Sequence, residues 1–69
     1  MKRVKTIWIE FKNDNTLVIQ DVTDHHITMG YLDIYVYDMT ENEERYYHID
    51  ITEVRYWEVI IQIKEGADE

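Results

Sequence analysis

Three histidines and fifteen carboxylates are the side chains of this 69-residue chain best suited to chemistry. His25 and His26 follow closely on Asp21 and Asp24. A metal ion needs several ligands converging on one point. Adjacent residues of a strand point to opposite faces, so these two imidazoles would not readily share an ion there, although a bend could bring them together with Asp24. His48 is remote in sequence. The segment therefore reads as a solvated polar turn without a metal, its chemistry limited to titration near the usual imidazole pKa of about 6.5. Glu41, Glu43 and Glu44, with Asp38 nearby, lack the ligand spacing of a calcium-binding EF-hand loop and read as a charged hairpin tip.

Nucleophilic catalysis has little to work with. The chain has neither Cys nor Ser, which excludes serine and cysteine triads, disulfides and thiolate zinc sites. Gly30 and Gly66 stand alone, so no glycine-rich phosphate loop exists. Paired carboxylates become acid–base catalysts when a cleft shifts their pKa values, and a domain this small has little volume for both a core and a pocket. The expectation is a non-enzymatic protein without a cofactor.

Charge narrows the partners. The formal net charge is −8, whereas direct nucleic-acid binding requires clustered Lys and Arg. Residues 1–12 carry four bases and one acid, and residues 13–69 carry three bases and fourteen acids. A basic first strand is expected beside acidic strands, or against the acidic part of a second copy. The basic start is not followed by the apolar run of a signal peptide. No stretch approaches the roughly 18 apolar residues of a membrane span. A cytoplasmic location without membrane contact is the corresponding expectation.

The elements that would position these residues are strands. Apolar residues alternate with polar ones through most of the chain, the period of a half-buried strand. Ile7, Ile9 and Phe11 lead into Asn13-Asp14-Asn15, a turn signal. A three-residue loop at those positions would set Phe11 opposite Leu17 and Ile9 opposite Ile19. Asp21 to His26 reads as a bend, and Gly30 permits a tight turn after Ile27-Thr28-Met29. Tyr31 to Met39 is the clearest strand, Thr40 to Arg45 a charged loop, and residues 52–54 a short connection between the last strands.

The predicted fold is all-β: a five- to six-stranded antiparallel meander curled into a small barrel or sandwich. It forms a single domain over residues 1–64, with a frayed acidic tail at 65–69. A C-terminal helix in an α+β fold is the alternative. Thr40 and Glu43 fit a capping box, and Tyr47, Ile51, Val54 and Ile61 fit a helical stripe. The predicted core face is Ile7, Ile9, Phe11, Leu32, Ile34, Val36, Ile49, Ile51, Val59, Ile61 and Ile63.

The opposite face is not simply polar. It would carry Trp8, Tyr31, Tyr35, Tyr37, Tyr46 and Tyr56, interleaved with Glu10, Asp33, His48, Asp50 and Glu58. Tyr and Trp join a large apolar body to a polar handle and are enriched in interfaces. Carboxylates among them favour a basic partner, and the rings can hold Lys or Arg by cation–π contact. The candidate binding residues are Trp8, Glu10, Tyr31, Asp33, Tyr35, Tyr37, Tyr46, Asp50, Tyr56 and Glu58.

In size and charge the chain resembles the small inhibitors that phages and mobile elements direct against host nucleic-acid enzymes. The resemblance rests on composition and carries no motif. It implies an acidic interaction protein that occupies the basic surface of a nucleic-acid-binding host protein. The alternative is a homo-oligomeric structural or scaffolding protein that assembles through its aromatic face.

Overall fold

The computed structural model describes residues 2–64, in the order β1 (Lys2–Phe11), β2 (Thr16–Ile19), β3 (Asp24–Thr28), β4 (Tyr31–Asp38), β5 (Glu43–Asp50), a 3₁₀ turn (Ile51–Glu53) and β6 (Val54–Lys64). Residues 65–69, read from the sequence as a frayed tail, lie outside the described residues. The fold is all-β. Two antiparallel three-stranded sheets are ordered β2-β1-β6 and β3-β4-β5. Among the described residues no helix is long and apolar enough to cross a membrane.

Alternation dictates the packing. Ile7, Ile9 and Ile19 come from the first sheet, and Leu32, Ile34 and Val36 from the second. Together with Val22 they form one buried cluster between the layers. Burying an aliphatic side chain of this size contributes about 1.5–3 kcal/mol. Phe11, Leu17, Tyr47, Ile49, Ile51, Val54, Trp57 and Val59 pack around the cluster, partly buried.

Each turn has a local cause. The β1–β2 loop is three residues long but spans Lys12 to Asp14, so the register lies two residues from the expected one. Ile9 faces Leu17 and Ile7 faces Ile19. Asp14 takes the left-handed conformation (φ 73°), Phe11 N donates to Asn15 O at 2.8 Å, and Asn15 N donates to the Asn13 side chain. A shift of two leaves every side chain on its expected face, which is why alternation alone could not distinguish the registers. The β3–β4 hairpin turns on Met29 and Gly30, both with positive φ (52° and 85°). Two-residue hairpin loops need that geometry to match strand twist.

Two connections carry the chain from one layer to the other. After β2, Asp21 takes φ 56°. Val22 N then donates to Lys5 O on β1, and Thr23 N donates to Tyr35 O on β4. After β5, Ile51 N donates to Gly30 O, and Glu53 O accepts from Lys12 N. The expected simple meander is therefore corrected. β1 with β2, and β3 with β4 and β5, pair in chain order, but β2 does not pair with β3 nor β5 with β6, and the last strand returns to pair with the first.

Two further expectations change, and the helical alternative is not realised. His25 and His26 lie in β3, not in a polar turn. Glu43, Glu44 and Arg45 are strand residues, and the loop before them shrinks to Met39–Asn42. No helix forms over 40–63. Asp38 Oδ1 accepts from the amides of Thr40 and Glu41, Asn42 turns left-handed at φ 55°, and the β-branched run Val59-Ile60-Ile61 sits in β6.

Ile61 and Ile63 were expected in the core but are 40% and 51% exposed. The β1–β6 ribbon is longer than the strands that could cover it, and these two residues stand opposite Lys5 and Arg3. The basic end of β1 thus pairs with β6 rather than with acidic strands, and Lys2 faces Lys64.

Candidate interaction faces

The ten candidate residues point away from the core as expected, but on two different sheets. Trp8, Glu10, Tyr56 and Glu58 share the outer face of β2-β1-β6. Tyr31, Asp33, Tyr35, Tyr37, Tyr46 and Asp50 share that of β3-β4-β5. The core lies between, so one binding surface cannot include both groups.

Asp33 organises the second face. It is 7% exposed although it points outward from the middle strand. Register places His26 on one side and His48 on the other. His48 Nδ1 lies 2.7 Å from Asp33 Oδ1, and Tyr46 donates its hydroxyl to the same oxygen at 3.0 Å. His26 Nε2 is 3.8 Å from the other oxygen. Placing the His48 proton on Nδ1 satisfies the carboxylate. The His48 hydrogen bond is the main cause that holds Asp33 below the usual carboxylate range, with Tyr46 helping against desolvation. The same contact to Asp33 pushes the Tyr46 phenol up.

Around this anchor the rings are ordered in rows. Tyr31 stacks on His48 with centroids 4.1 Å apart, and Tyr35 on Tyr46 at 5.0 Å, both at 17° between planes. His26 tilts over Tyr35 at 5.6 Å. Tyr37 donates its hydroxyl to Asn42 Oδ1. Cross-strand pairs of this kind each contribute roughly 0.2–1 kcal/mol. Asp24 and Glu44 complete the face, opposite Tyr35 and Tyr37. Among the described residues, strand register gives this face four tyrosines, four carboxylates and two histidines, without a Lys or Arg. Asp50 belongs to its edge, but its carboxylate is turned to the 3₁₀ turn. There it accepts from Thr52 N at 3.0 Å and Thr52 Oγ1 at 2.8 Å, and these bonds lower its pKa.

The outer face of the first sheet is built differently. Arg55 is the extra residue of a bulge between Glu10 and Phe11, and a bulge re-aims its side chain. The guanidinium reaches Glu10 Oε2 at 2.7 Å, Asp14 Oδ1 at 2.6 Å and Lys12 O at 3.0 Å. Glu10 is thereby neutralised. Trp8 meets Tyr56 edge-on at 5.9 Å, and the Tyr56 hydroxyl donates to Glu58, a bond that raises the phenol pKa.

Histidine 25 points inward, opposite in sense to His26. It lies edge-on to Trp57 at 6.1 Å and 3.2 Å from Lys5 Nζ. Burial first, and the Lys5 charge second, push its pKa down. Among the described residues no group of three or more His, Asp or Glu could hold a metal ion. The His48–Asp33 spacing resembles that of a catalytic dyad, but it lies on an open sheet face, and the chain has no Ser or Cys for it to activate. A cleft of about 760 Å³ is lined by Ile19, Val36, Met39 and Tyr47 together with Lys2, Arg45, Asp21 and Asp38. Its charges balance.

The sequence reading omitted Asp24, His26 and Glu44 from this face, and placed His48 on it without counting it among the binding residues. Reading Met29-Gly30 as a two-residue hairpin would have placed His26 beside Asp33 and Asp24 beside Tyr35. Glu44 required the length of the Met39–Asn42 loop. Comparison with known proteins finds no matching protein family, no similar curated protein and no similar solved structure.

Proposed function

We propose that the protein is a non-enzymatic interaction module that presents the outer face of β3-β4-β5 to a basic surface on another protein. The observation that carries this reading is a contiguous aromatic face that holds carboxylates but neither Lys nor Arg. Tyr31, Tyr37 and Tyr46 are 37%, 48% and 56% exposed, so their rings are open to a partner. The stacked rows and the Asp33 anchor fix these rings before binding, which reduces the ordering cost of association. Acidic groups around them would speed encounter with a basic partner and reject acidic ones. A nucleic-acid-binding protein offers such a basic surface, and a phage or mobile-element inhibitor acting in the cytoplasm is the biological setting this reading favours.

The test is affinity capture at physiological and high salt, with exposed positions altered one at a time. Basic proteins should be retained by the parent chain at about 0.15 M salt, where screening acts over about 8 Å, and released near 1 M, where it shortens to about 3 Å. Glu44→Lys and Tyr37→Ala should each lose that retention at least several-fold, while Trp8→Ala on the other sheet keeps it. Equal retention by Glu44→Lys and the parent would exclude this face as the binding surface.

A further inference from the structure

The outer edge of β6 has a different character from the aromatic face. Among the described residues β6 is the longest strand, eleven residues, and is neighboured in its sheet by β1 alone. Its last turn of sequence is apolar on both sides: Ile60, Ile61 and Ile63 are 38%, 40% and 51% exposed. Long apolar edge strands are templates for pairing with another chain, and proteins blunt them with charge, Pro or bulges. The β6 bulge lies at its far end, next to Glu10 and Phe11, and the Ile60–Ile63 stretch is regular.

We infer that a second copy of this chain pairs antiparallel along this edge, with the two-fold axis at Ile61, to give a continuous β2-β1-β6-β6-β1-β2 sheet. Backbone groups point out of an edge at alternate residues, so a strand meets its own copy only in registers that put like faces together. Centred on Ile61, the register sets Ile61 beside its own equivalent and Ile63 beside Val59 on the inner side. On the outer side it sets Gln62 beside Ile60, and Lys64 beside Glu58. Each apolar residue of the inner side meets an apolar one, and the charged pair is of opposite sign. Moving the axis to Ile60 would set Lys64 beside Tyr56 and Gln62 beside Glu58, separating the charges. Within one copy Lys64 faces Lys2, an unfavourable like-charge pair, which Glu58 of a second copy would offset. A core this small also gains from a partner chain, as it has no disulfide. This pairing leaves the aromatic face uncovered, and it stands whether or not the proposed function does.

Sedimentation velocity over a concentration series tests the pairing with substitutions that suit the monomer and oppose the dimer. Ile61→Glu faces Lys5 in its own sheet and another Glu across the axis. Lys64→Glu faces Lys2 in its own sheet and Glu58 across the dimer. The parent should sediment as a dimer at tens of micromolar. Ile61→Glu should be a folded monomer by circular dichroism, and Lys64→Glu should shift the dimer midpoint at least tenfold toward higher concentration. The double exchange Glu58→Lys/Lys64→Glu should restore it. A parent chain that stays monomeric into the hundreds of micromolar overturns the proposal, as does a dimer indifferent to both Ile61→Glu and Lys64→Glu. A dimer that instead dissociates on Tyr37→Ala would assign self-association to the aromatic face and overturn it as well.

Discussion

The outer faces of the two sheets both set carboxylates among aromatic rings, but to opposite effect. On β3-β4-β5 the central carboxylate, Asp33, is held by the His48 imidazole and the Tyr46 hydroxyl. Those contacts order the rings around it and leave the face without a fixed cation. On β2-β1-β6 the carboxylate of Glu10 is taken up by Arg55, which also closes on Asp14 and the β1–β2 loop. One set of acids organises a surface, and the other ties down a turn. Composition does not separate the two roles, because what decides them is whether a guanidinium stands within reach.

The contrast holds only if both faces hang on one core, and that is the largest effect to test. Ile34→Ala removes a fully buried side chain between the layers and should cost about 2–5 kcal/mol. That is comparable to the whole stability expected of a core this size, roughly 3–5 kcal/mol. Near-ultraviolet signals from the tyrosines of β4 and β5 and fluorescence from Trp57 should therefore be lost together in denaturant. Two separate transitions would mean that the sheets fold independently.

A second, intermediate effect separates the faces by pH. Asp33 titrates lower folded than unfolded. Its contribution is complete above the ordinary Asp pKa of about 3.9 and is lost as pH falls through the lowered folded value. Asp33→Asn should lower the melting temperature at pH 7 and flatten its acid limb. His25 also titrates lower folded than unfolded. The unfolded chain then takes up its proton first, near pH 6.5, and stability declines as pH falls from there. His25→Leu should remove that decline. Melting curves between pH 3 and 8 give both answers, and an unchanged slope in His25→Leu would contradict the assignment.

The smallest expected effect concerns a turn rather than a face. Met29 holds φ 52° with its side chain 91% exposed, a conformation that costs a non-glycine residue about 1–2 kcal/mol. Met29→Asn should stabilise the hairpin that positions His26 against Asp33 by about 0.5 kcal/mol, since Asn visits that region readily. A thermal melt of the variant at pH 7 measures it.

Much of the fold was legible because alternation reports which face a residue takes. Ile7, Ile9, Leu32, Ile34 and Val36 are buried as the pattern requires, and the tyrosines of β4 and β5 point outward. Alternation does not report which strands are neighbours. The candidate face was therefore read as one surface, when Trp8, Glu10, Tyr56 and Glu58 belong to a different sheet. It also does not report how far a covering layer extends, so Ile61 and Ile63 read as core. Long-range contacts such as Arg55 with Asp14, or Lys5 with His25, depend on a bulge and on the crossing between layers. Neither leaves a periodic trace.

The pairing of Lys2 with Lys64 has a topological consequence. Lys2 and Lys64 lie side by side on neighbouring strands, so a short linker replacing what lies beyond them could join these two positions without disturbing any described pairing. New ends could then be cut at the Thr40–Glu41 turn, where the backbone is exposed and its main ties are to Asp38. Such a permuted chain would keep both outer faces and the β6 edge while fusing a tag or tether at the opposite end of β4 from Tyr31. It would also limit the freedom of the unfolded state around β1 and β6.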